Sequence, residues 1–175
     1  MVYSDSLIVF PLHTHAVFCA LRSRPHKIWA RSFGSSMKDD LRYTPSDVFE
    51  TFPFPRNWTT HPALEDAGQA YHDFRADLMV RNDEGLTKTY NRFHDPNERD
   101  PAIARLRELH AAMDREVLAA YGWTDIDTEC EFLPEQETNE DHGSSPCRYR
   151  FRWPDSARNE VLARLAELNA ARTEG

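Results

Sequence analysis

Residues 100–122 read DPAIARLRELHAAMDREVLAAYG, and this stretch predicts the best-defined helix of the chain. Its apolar residues recur at intervals of three and four, which places them on one face of an α-helix. Asp100 can cap the first turn, Pro101 suits the first helical position, and Gly122 is a residue that commonly ends helices. The residues expected on the buried face are Ile103, Leu106, Leu109, Met113, Val117 and Tyr121.

Helical spacing also occurs on both sides of this stretch. Residues 63–80 and 86–93 predict two helices separated by the breaker RNDEG at 81–85. A last helix starts at about Asp155. The residues expected on its inner face are Val161, Leu162, Leu165 and Leu168. Between the helices, Glu129–Leu133 and Arg148–Trp153 have strand character and could pair as a small hairpin.

The N-terminal part combines a short strand with two short helices. Leu7–Phe10 is apolar and rich in branched and aromatic residues, which predicts a strand that Pro11 ends. Helical spacing begins at Thr14. Pro25 is expected to divide this helix in two, and Gly34 to end the second half.

These elements predict an α+β fold that is mostly α. A strand-helix-loop unit over residues 1–56 would be followed by a helical region over residues 57–175 that contains the small β-hairpin. With 175 residues, 40% of them hydrophobic, the chain can bury one modest core or a small β-containing unit joined to a helical one.

Charge is distributed unevenly along the sequence. The formal net charge is −8, yet residues 22–42 hold six basic and two acidic residues, a net +4 that leaves −12 for the remainder. The basic residues of this segment are Arg22, Arg24, Lys27, Arg31, Lys38 and Arg42. Such asymmetry suits a basic contact strip on an acidic support.

Cysteine content and hydropathy favour a reducing cytoplasm. Cys19, Cys130 and Cys147 cannot all pair, and no N-terminal apolar signal segment precedes polar sequence. No apolar run approaches the length that crosses a bilayer, so we expect no membrane partner.

Residues 29–55 read WARSFGSSMKDDLRYTPSDVFETFPFP and combine cations, hydroxyls and aromatic rings with little periodicity. We expect a loop whose basic side chains contact nucleic-acid phosphates and whose hydroxyl groups orient a duplex. The residues predicted to bind DNA are Arg31, Ser35, Ser36, Lys38, Arg42, Tyr43 and Thr44. The alternative is a well-anchored structural linker. At the end of the segment, the FPFP run at 52–55 is expected to pack as a rigid extended piece.

Four stretches of the sequence carry a resemblance to a known family: Trp29–Pro55, Leu78–Pro96, Leu106–Trp123 and Tyr149–Asn169. They resemble the end of the target-recognition region and the helical tail of large adenine-specific DNA methyltransferases. These are the type IIG and BREX-like enzymes of restriction-modification and phage-defence systems. The resemblance covers nearly the whole chain and implies double-stranded DNA as a partner.

Two motifs of that family do not occur in the sequence. The enzymes bind S-adenosylmethionine through a Gly-rich turn and hold adenine with an Asn/Asp-Pro-Pro-Tyr/Phe loop. Residues 52–55 offer phenylalanines where that loop needs an amide or carboxylate oxygen. Nor does any of Lys27, Lys38 and Lys88 belong to a nuclease pattern of Pro-Asp followed by Asp/Glu-x-Lys. We therefore expect a C-terminal fragment that binds DNA without catalytic residues or a cofactor of its own. A separate catalytic part, in the same protein or in another chain, would supply S-adenosylmethionine and methyl transfer.

Other interpretations of the sequence remain open. The chain could be a helical interaction subunit that docks on a methyltransferase or phage-defence protein without contacting DNA. Metal sites are conceivable at His13 and His15, or at Cys130 with His142 and Cys147. Because structural zinc requires four ligands and neither set supplies a Cys-x-x-Cys pair, we expect no metal site.

Overall fold

The computed structural model describes residues 11–37, 40–135 and 149–173, and helices dominate these ranges. The helices are α1 (His15–Arg22), α2 (Arg24–Phe33), α3 (Pro45–Val48), α4 (Pro62–Asn82), α5 (Leu86–Phe93), α6 (Pro101–Tyr121) and α7 (Asp155–Thr173). The strands are β1 (Ser35–Met37), β2 (Asp40–Arg42), β3 (Glu131–Pro134) and β4 (Tyr149–Arg152). The predicted α+β class, mostly α, is confirmed.

Local signals in the sequence fix the ends of α6. The Asp100 carboxylate accepts a hydrogen bond from the Ala102 N–H at 2.8 Å, which caps the first turn. At the other end, Gly122 adopts a left-handed φ of 81° that lets its N–H reach the Ala119 carbonyl at 2.8 Å. The predicted helix and both of its boundary residues are confirmed.

The break between α1 and α2 follows from one proline. Ser23 is extended, with ψ at 157°, and ends α1 before Pro25. A helix that continued through Pro25 would lose one N–H donor and press the proline ring against the carbonyl of residue 21. Pro25 then occupies the first turn of α2, where its missing N–H breaks no helical hydrogen bond. Gly34 ends α2, and the predicted division into two helices is confirmed.

Helix α1 lies close against α4 because Gly68 has no side chain. A Cβ atom built on Gly68 would stand 2.1 Å from the His15 carbonyl oxygen and 3.1 Å from the Cys19 Cβ. Such distances exclude any larger residue without movement of a backbone. The small residue therefore sets the separation of the two helices, and this contact joins the N-terminal unit to the helical region.

Two groups of buried side chains form the core. The first brings together α1, α4, α5 and α6, and its residues include Ala16, Cys19, Leu64, Tyr71, Leu78, Phe93, Ile103, Leu106, Met113 and Val117. The second brings α2, α3 and α7 onto the end of α6, and includes Ile28, Trp29, Val48, Phe52, Leu118, Trp153, Val161 and Leu165. Tyr121 packs against both groups, so α6 connects them.

The strands form two separate antiparallel pairs. In the predicted hairpin, β3 pairs with β4, and Phe132 faces Phe151 in register. The other pair, β1 with β2, was not predicted and aligns Ser35 with Arg42. We expected residues 29–55 to form a loop without regular structure. This expectation is wrong for much of the segment, since it contains the end of α2, the β1–β2 pair and α3.

Some predictions fall on residues outside the described ranges. These residues are the strand Leu7–Phe10, the cation Lys38, and the potential metal ligands His142 and Cys147. The division at residue 56 also stays a prediction.

Candidate nucleic-acid interface

A cavity of about 350 Å³ lies between α2 and the segment formed by β4 and the start of α7. Seven basic side chains line it: Arg22, Arg24, Lys27 and Arg31 on one side, and Arg150, Arg152 and Arg158 on the other. We call this cavity the basic recess. Two acidic residues, Glu135 and Asp155, share the lining, so positive charge predominates.

The spacing of residues along α2 explains one wall of the recess. Arg24, Lys27 and Arg31 follow one another at steps of three and four, which places them on one face of the helix. Trp29, on a different face, is buried and donates its indole N–H to the Thr51 hydroxyl at 3.0 Å. Core contacts on that face therefore hold the basic face toward the recess.

Carboxylates neutralise part of the charge on the opposite wall. Arg150 Nε lies 3.1 Å from a Glu135 oxygen, and Arg152 Nη1 lies 2.6 Å from Asp155 Oδ1. The same Asp155 oxygen is 3.7 Å from Arg158 Nη1. Three arginines on this side thus share two carboxylates as ion-pair partners.

Arg24 is engaged in a buried network and is not available to a ligand as a free charge. Its guanidinium forms an ion pair with Asp114 on α6, and its Nη1 lies 2.9 Å from His110 Nδ1. Its Nη2 also donates to the Phe151 carbonyl at 3.4 Å. The network links α2 to α6 and to β4.

Arg22, Lys27 and Arg31 carry charge that no carboxylate of the described residues offsets. Among the described residues, none of the ion pairs involves these three side chains. Arg22 instead lies over the Tyr90 ring, 4.6 Å from its centroid. Lys27 and Arg31 are exposed, at the part of the recess that is open to solvent.

The protein atoms and charges around Lys27 in the recess change the pKa of its ammonium group. Although part of the side chain is exposed, surrounding protein atoms restrict its hydration. This desolvation, followed by the positive charges of Arg31, Arg24 and Arg22, lowers the pKa of Lys27 to about 8. The ammonium group therefore sits in a positive potential.

Two buried N–H groups in the lining have no hydrogen-bond partner within the described part of the chain. They are Arg22 Nε and Trp153 Nε1. Buried donors in native proteins are nearly always paired, with protein, water or a ligand. Because Arg22 and Trp153 both line the recess, an acceptor bound there is a candidate partner for these two N–H groups.

His94 is held neutral in the same wall. Its Nδ1 accepts a hydrogen bond from the Phe151 N–H at 3.1 Å, which requires this nitrogen to be unprotonated. Burial, and then the charges of Lys27 and Arg150, lower the pKa of His94 to about 3. The lower pKa is a second sign of positive potential in the recess.

The predicted DNA-binding residues fall into different environments. Arg31 lies at the open side of the recess. Ser35, Ser36 and Arg42 belong to the β1–β2 pair, which follows α2 directly. The structure therefore places Arg31 on the helix that leads directly into the strands carrying three other predicted residues, one of them a cation, while Lys38 lies outside the described residues.

Tyr43 and Thr44 occupy structural positions at the base of the β1–β2 pair. The Tyr43 hydroxyl lies 3.0 Å from His26 Nε2, and burial raises the pKa of Tyr43 to about 12. Thr44 precedes α3, where its carbonyl accepts from the Val48 N–H at 2.9 Å. A DNA contact by either residue stays a prediction.

The FPFP run at residues 52–55 packs as predicted. The Phe52 ring meets His26 edge to face at 4.7 Å, and Phe54 stacks on Trp58 at 3.9 Å. Phe52, Pro53 and Pro55 are buried. The packing of residues 52–55 therefore fits the structural-linker interpretation. For the basic residues earlier in the segment, the contacts in the structure do not call for that interpretation.

The C-terminal arginines that line the basic recess were not predicted from the sequence. Arg150, Arg152 and Arg158 are more than 100 positions from α2, and no local pattern links them to it. One signal was present: arginines at 148, 150 and 152 alternate with aromatic residues, which places them on one side of a strand.

A cluster of histidines and carboxylates lies elsewhere, between α1 and α4. In the described part of the chain, His15, His72 and Asp73 are close enough to share a cation. Each imidazole already has a carboxylate partner, since His15 Nδ1 is 3.2 Å from Glu65 and His72 Nδ1 is 3.0 Å from Asp73. Glu65 also accepts from the Ala16 N–H at 2.7 Å. We interpret this cluster as a polar part of the helix contact.

None of the helices formed by the described residues has the length and apolar character that crossing a membrane requires.

Comparison with known proteins found two similarities. Residues 1–56 match the family model described as MmeI, target recognition domain. The fold of 93% of the chain is similar to part of a solved structure, that of the type IIL restriction-modification enzyme MmeI in complex with DNA. The TM-score is 0.54, the sequence identity is 20%, and the chain spans 17% of the length of that protein. Among curated proteins, none matches the sequence.

Proposed function

We propose that this chain is a DNA-binding part of the target-recognition machinery of a restriction-modification DNA methyltransferase. It contributes duplex binding rather than chemistry. The observation that carries the proposal is the basic face of Arg22, Lys27 and Arg31, which no carboxylate of the described residues neutralises. The β1–β2 pair follows α2 directly, within an N-terminal unit similar to a target recognition domain.

Phosphate contacts would supply most of the affinity. Arg31, Lys38 and Arg42 are the proposed cations, and Ser35 and Ser36 the proposed hydrogen-bond donors to the backbone of the duplex. Such contacts fix the orientation of a protein on DNA without reading its sequence. In this arrangement Tyr43 and Thr44 have a structural role at the end of the β1–β2 pair, because Tyr43 contacts His26 and Thr44 directly precedes α3.

The methylation part of the proposal rests on the sequence resemblance. It assigns the chain to an adenine-specific enzyme of the type IIG or BREX-like kind, acting in the cytoplasm in defence against phages. S-adenosylmethionine, the pocket for a flipped adenine and methyl transfer would then belong to a separate catalytic part.

Fluorescence anisotropy with a labelled duplex across a salt series tests the DNA-binding function. We expect log Kd to rise linearly with log salt concentration, because each neutralised phosphate releases counterions. The variant Arg31→Gln/Arg42→Gln should bind at least about tenfold more weakly and with a shallower salt dependence. A matched control is Arg81→Gln/Arg115→Gln, since both arginines are exposed and neither lines the recess.

Absence of duplex binding at low salt, by protein shown to be folded, would contradict this function. The acidic net charge of −8 would then favour the alternative, a subunit that docks on a methyltransferase or another defence protein without contacting DNA.

A further inference from the structure

We propose that the basic recess is a binding site for a phosphate group, held by Arg22, Lys27 and the indole N–H of Trp153. The phosphate would come from a DNA strand or from a free phosphate ester of nucleotide size. The DNA source rests on the proposed function, whereas the free ligand does not.

The first argument is charge. Arg22, Lys27 and Arg31 face one cavity without a carboxylate partner among the described residues. Like charges brought together in a partly dehydrated space repel one another, and a bound anion turns that repulsion into attraction. Glu135 and Asp155 do not neutralise these three cations, because they form ion pairs with arginines on the opposite wall.

The second argument is hydrogen bonding. The buried N–H groups of Arg22 Nε and Trp153 Nε1 lack acceptors in the described part of the chain, and both residues line the recess. A phosphate offers several strong acceptor oxygens that could satisfy donors approaching from different directions. Neither side chain could satisfy the other, since both groups are donors only.

The third argument is size and surface. A volume of about 350 Å³ is within the usual range for ligand cavities, roughly 300–1,000 Å³. Tyr90, Phe93 and Phe151 supply apolar lining beside the cations. The recess can therefore hold a phosphate together with an attached sugar or ring, which distinguishes it from a flat basic surface.

The lowered pKa values of Lys27 and His94 provide a spectroscopic readout. Both reflect desolvation and nearby cations. A bound phosphate would offset those cations and raise both pKa values. Protonation of His94 can be followed through its imidazole NMR signals in the presence and absence of the ligand.

Isothermal titration with pyrophosphate, alongside anisotropy with the duplex, tests the site in the full chain. The variants are Lys27→Gln, with Lys88→Gln as its matched control, because Lys88 is an exposed lysine on α5 that does not line the recess. Trp153→Phe keeps an aromatic ring but removes the donor and some buried volume, so thermal unfolding first checks that the variant is folded. We expect Lys27→Gln to weaken pyrophosphate binding at least tenfold, Trp153→Phe to weaken it severalfold, and Lys88→Gln to leave it within twofold.

The two measurements separate the two sources of phosphate. Duplex affinity reduced by Lys27→Gln but not by Lys88→Gln, without pyrophosphate binding, would support a DNA strand as the ligand. Pyrophosphate binding that requires Lys27, in protein that does not bind duplex, would support a free ligand and contradict the proposed function alone. If Lys27→Gln changes neither affinity, or if pyrophosphate binds both lysine variants equally, the proposal is overturned.

Discussion

Asp114 on α6 and Arg24 at the start of α2 form an ion pair in which the carboxylate has no exposed surface. The Arg24 backbone N–H also donates to Asp114 Oδ1 at 2.7 Å. One carboxylate therefore satisfies both the guanidinium and the N-terminus of α2, where a negative charge is favourable. Although burial opposes the charge, Arg24 and His110 hold the pKa of Asp114 below its ordinary value.

We expect Asp114→Asn to lower the free energy of unfolding by about 3–5 kcal/mol, because it leaves the buried Arg24 charge without its counterion. Urea denaturation at pH 7 measures this. The control is Glu108→Gln, which breaks an exposed pair with Arg105 and should change stability by less than about 1 kcal/mol. A loss as small as that of the control would show that the network does not bind α2 to α6.

Gly68→Ala should destabilise the protein by about 1–3 kcal/mol or more, because the added methyl group would overlap the His15 carbonyl oxygen. Gly85→Ala is the control, since a Cβ there meets no atom within 4 Å. Thermal unfolding compares the two variants. Equal melting temperatures would mean that α1 can move away from α4 freely.

Stability should fall as the pH falls from about 6.5 toward 4. The pKa of His94 is about 3 and that of His26 about 4 in the folded protein, both lowered first by burial, so the unfolded chain takes up protons at higher pH. The stabilisation is complete above the unfolded pKa of about 6.5 and decreases below it by about 1.4 kcal/mol per pH unit for each histidine. His94→Asn should reduce this slope in urea denaturation, while keeping an acceptor for the Phe151 N–H. An unchanged slope would show that His94 titrates normally.

Tyr43→Phe should lower the free energy of unfolding by about 0.5–1.5 kcal/mol, because it removes the hydroxyl bonded to the buried His26. Duplex affinity of the folded variant should stay within about twofold of the wild type. A stronger loss of affinity without a loss of stability would instead establish the direct DNA contact that the sequence predicts for this residue.

Much of the secondary structure could be predicted because its signals are local. The bounds of α5 and α6 follow from periodicity, the Asp100–Pro101 start and the Gly122 stop. The β1–β2 pair was missed, since its three-residue strands are too short to show alternation.

Only one wall of the basic recess, the one formed by the basic segment, could be predicted from the sequence. The segment of residues 22–42 is visibly basic, but its sequence cannot tell which cations are free. Arg24 is neutralised by a residue 90 positions away, whereas Lys27, three residues later, forms no ion pair with any residue that the structure describes. Ion pairing depends on which elements meet in space.

Residues within a few positions of one another encode most of the helices, the caps of α6, the break at Pro25 and the location of the basic segment. The meeting of α2 with β4 and α7 to enclose the recess, and the absence of carboxylate partners for Arg22, Lys27 and Arg31 among the described residues, emerge only from the folded chain. Burial and charge neutralisation depend on long-range packing of side chains, which no short stretch of sequence encodes.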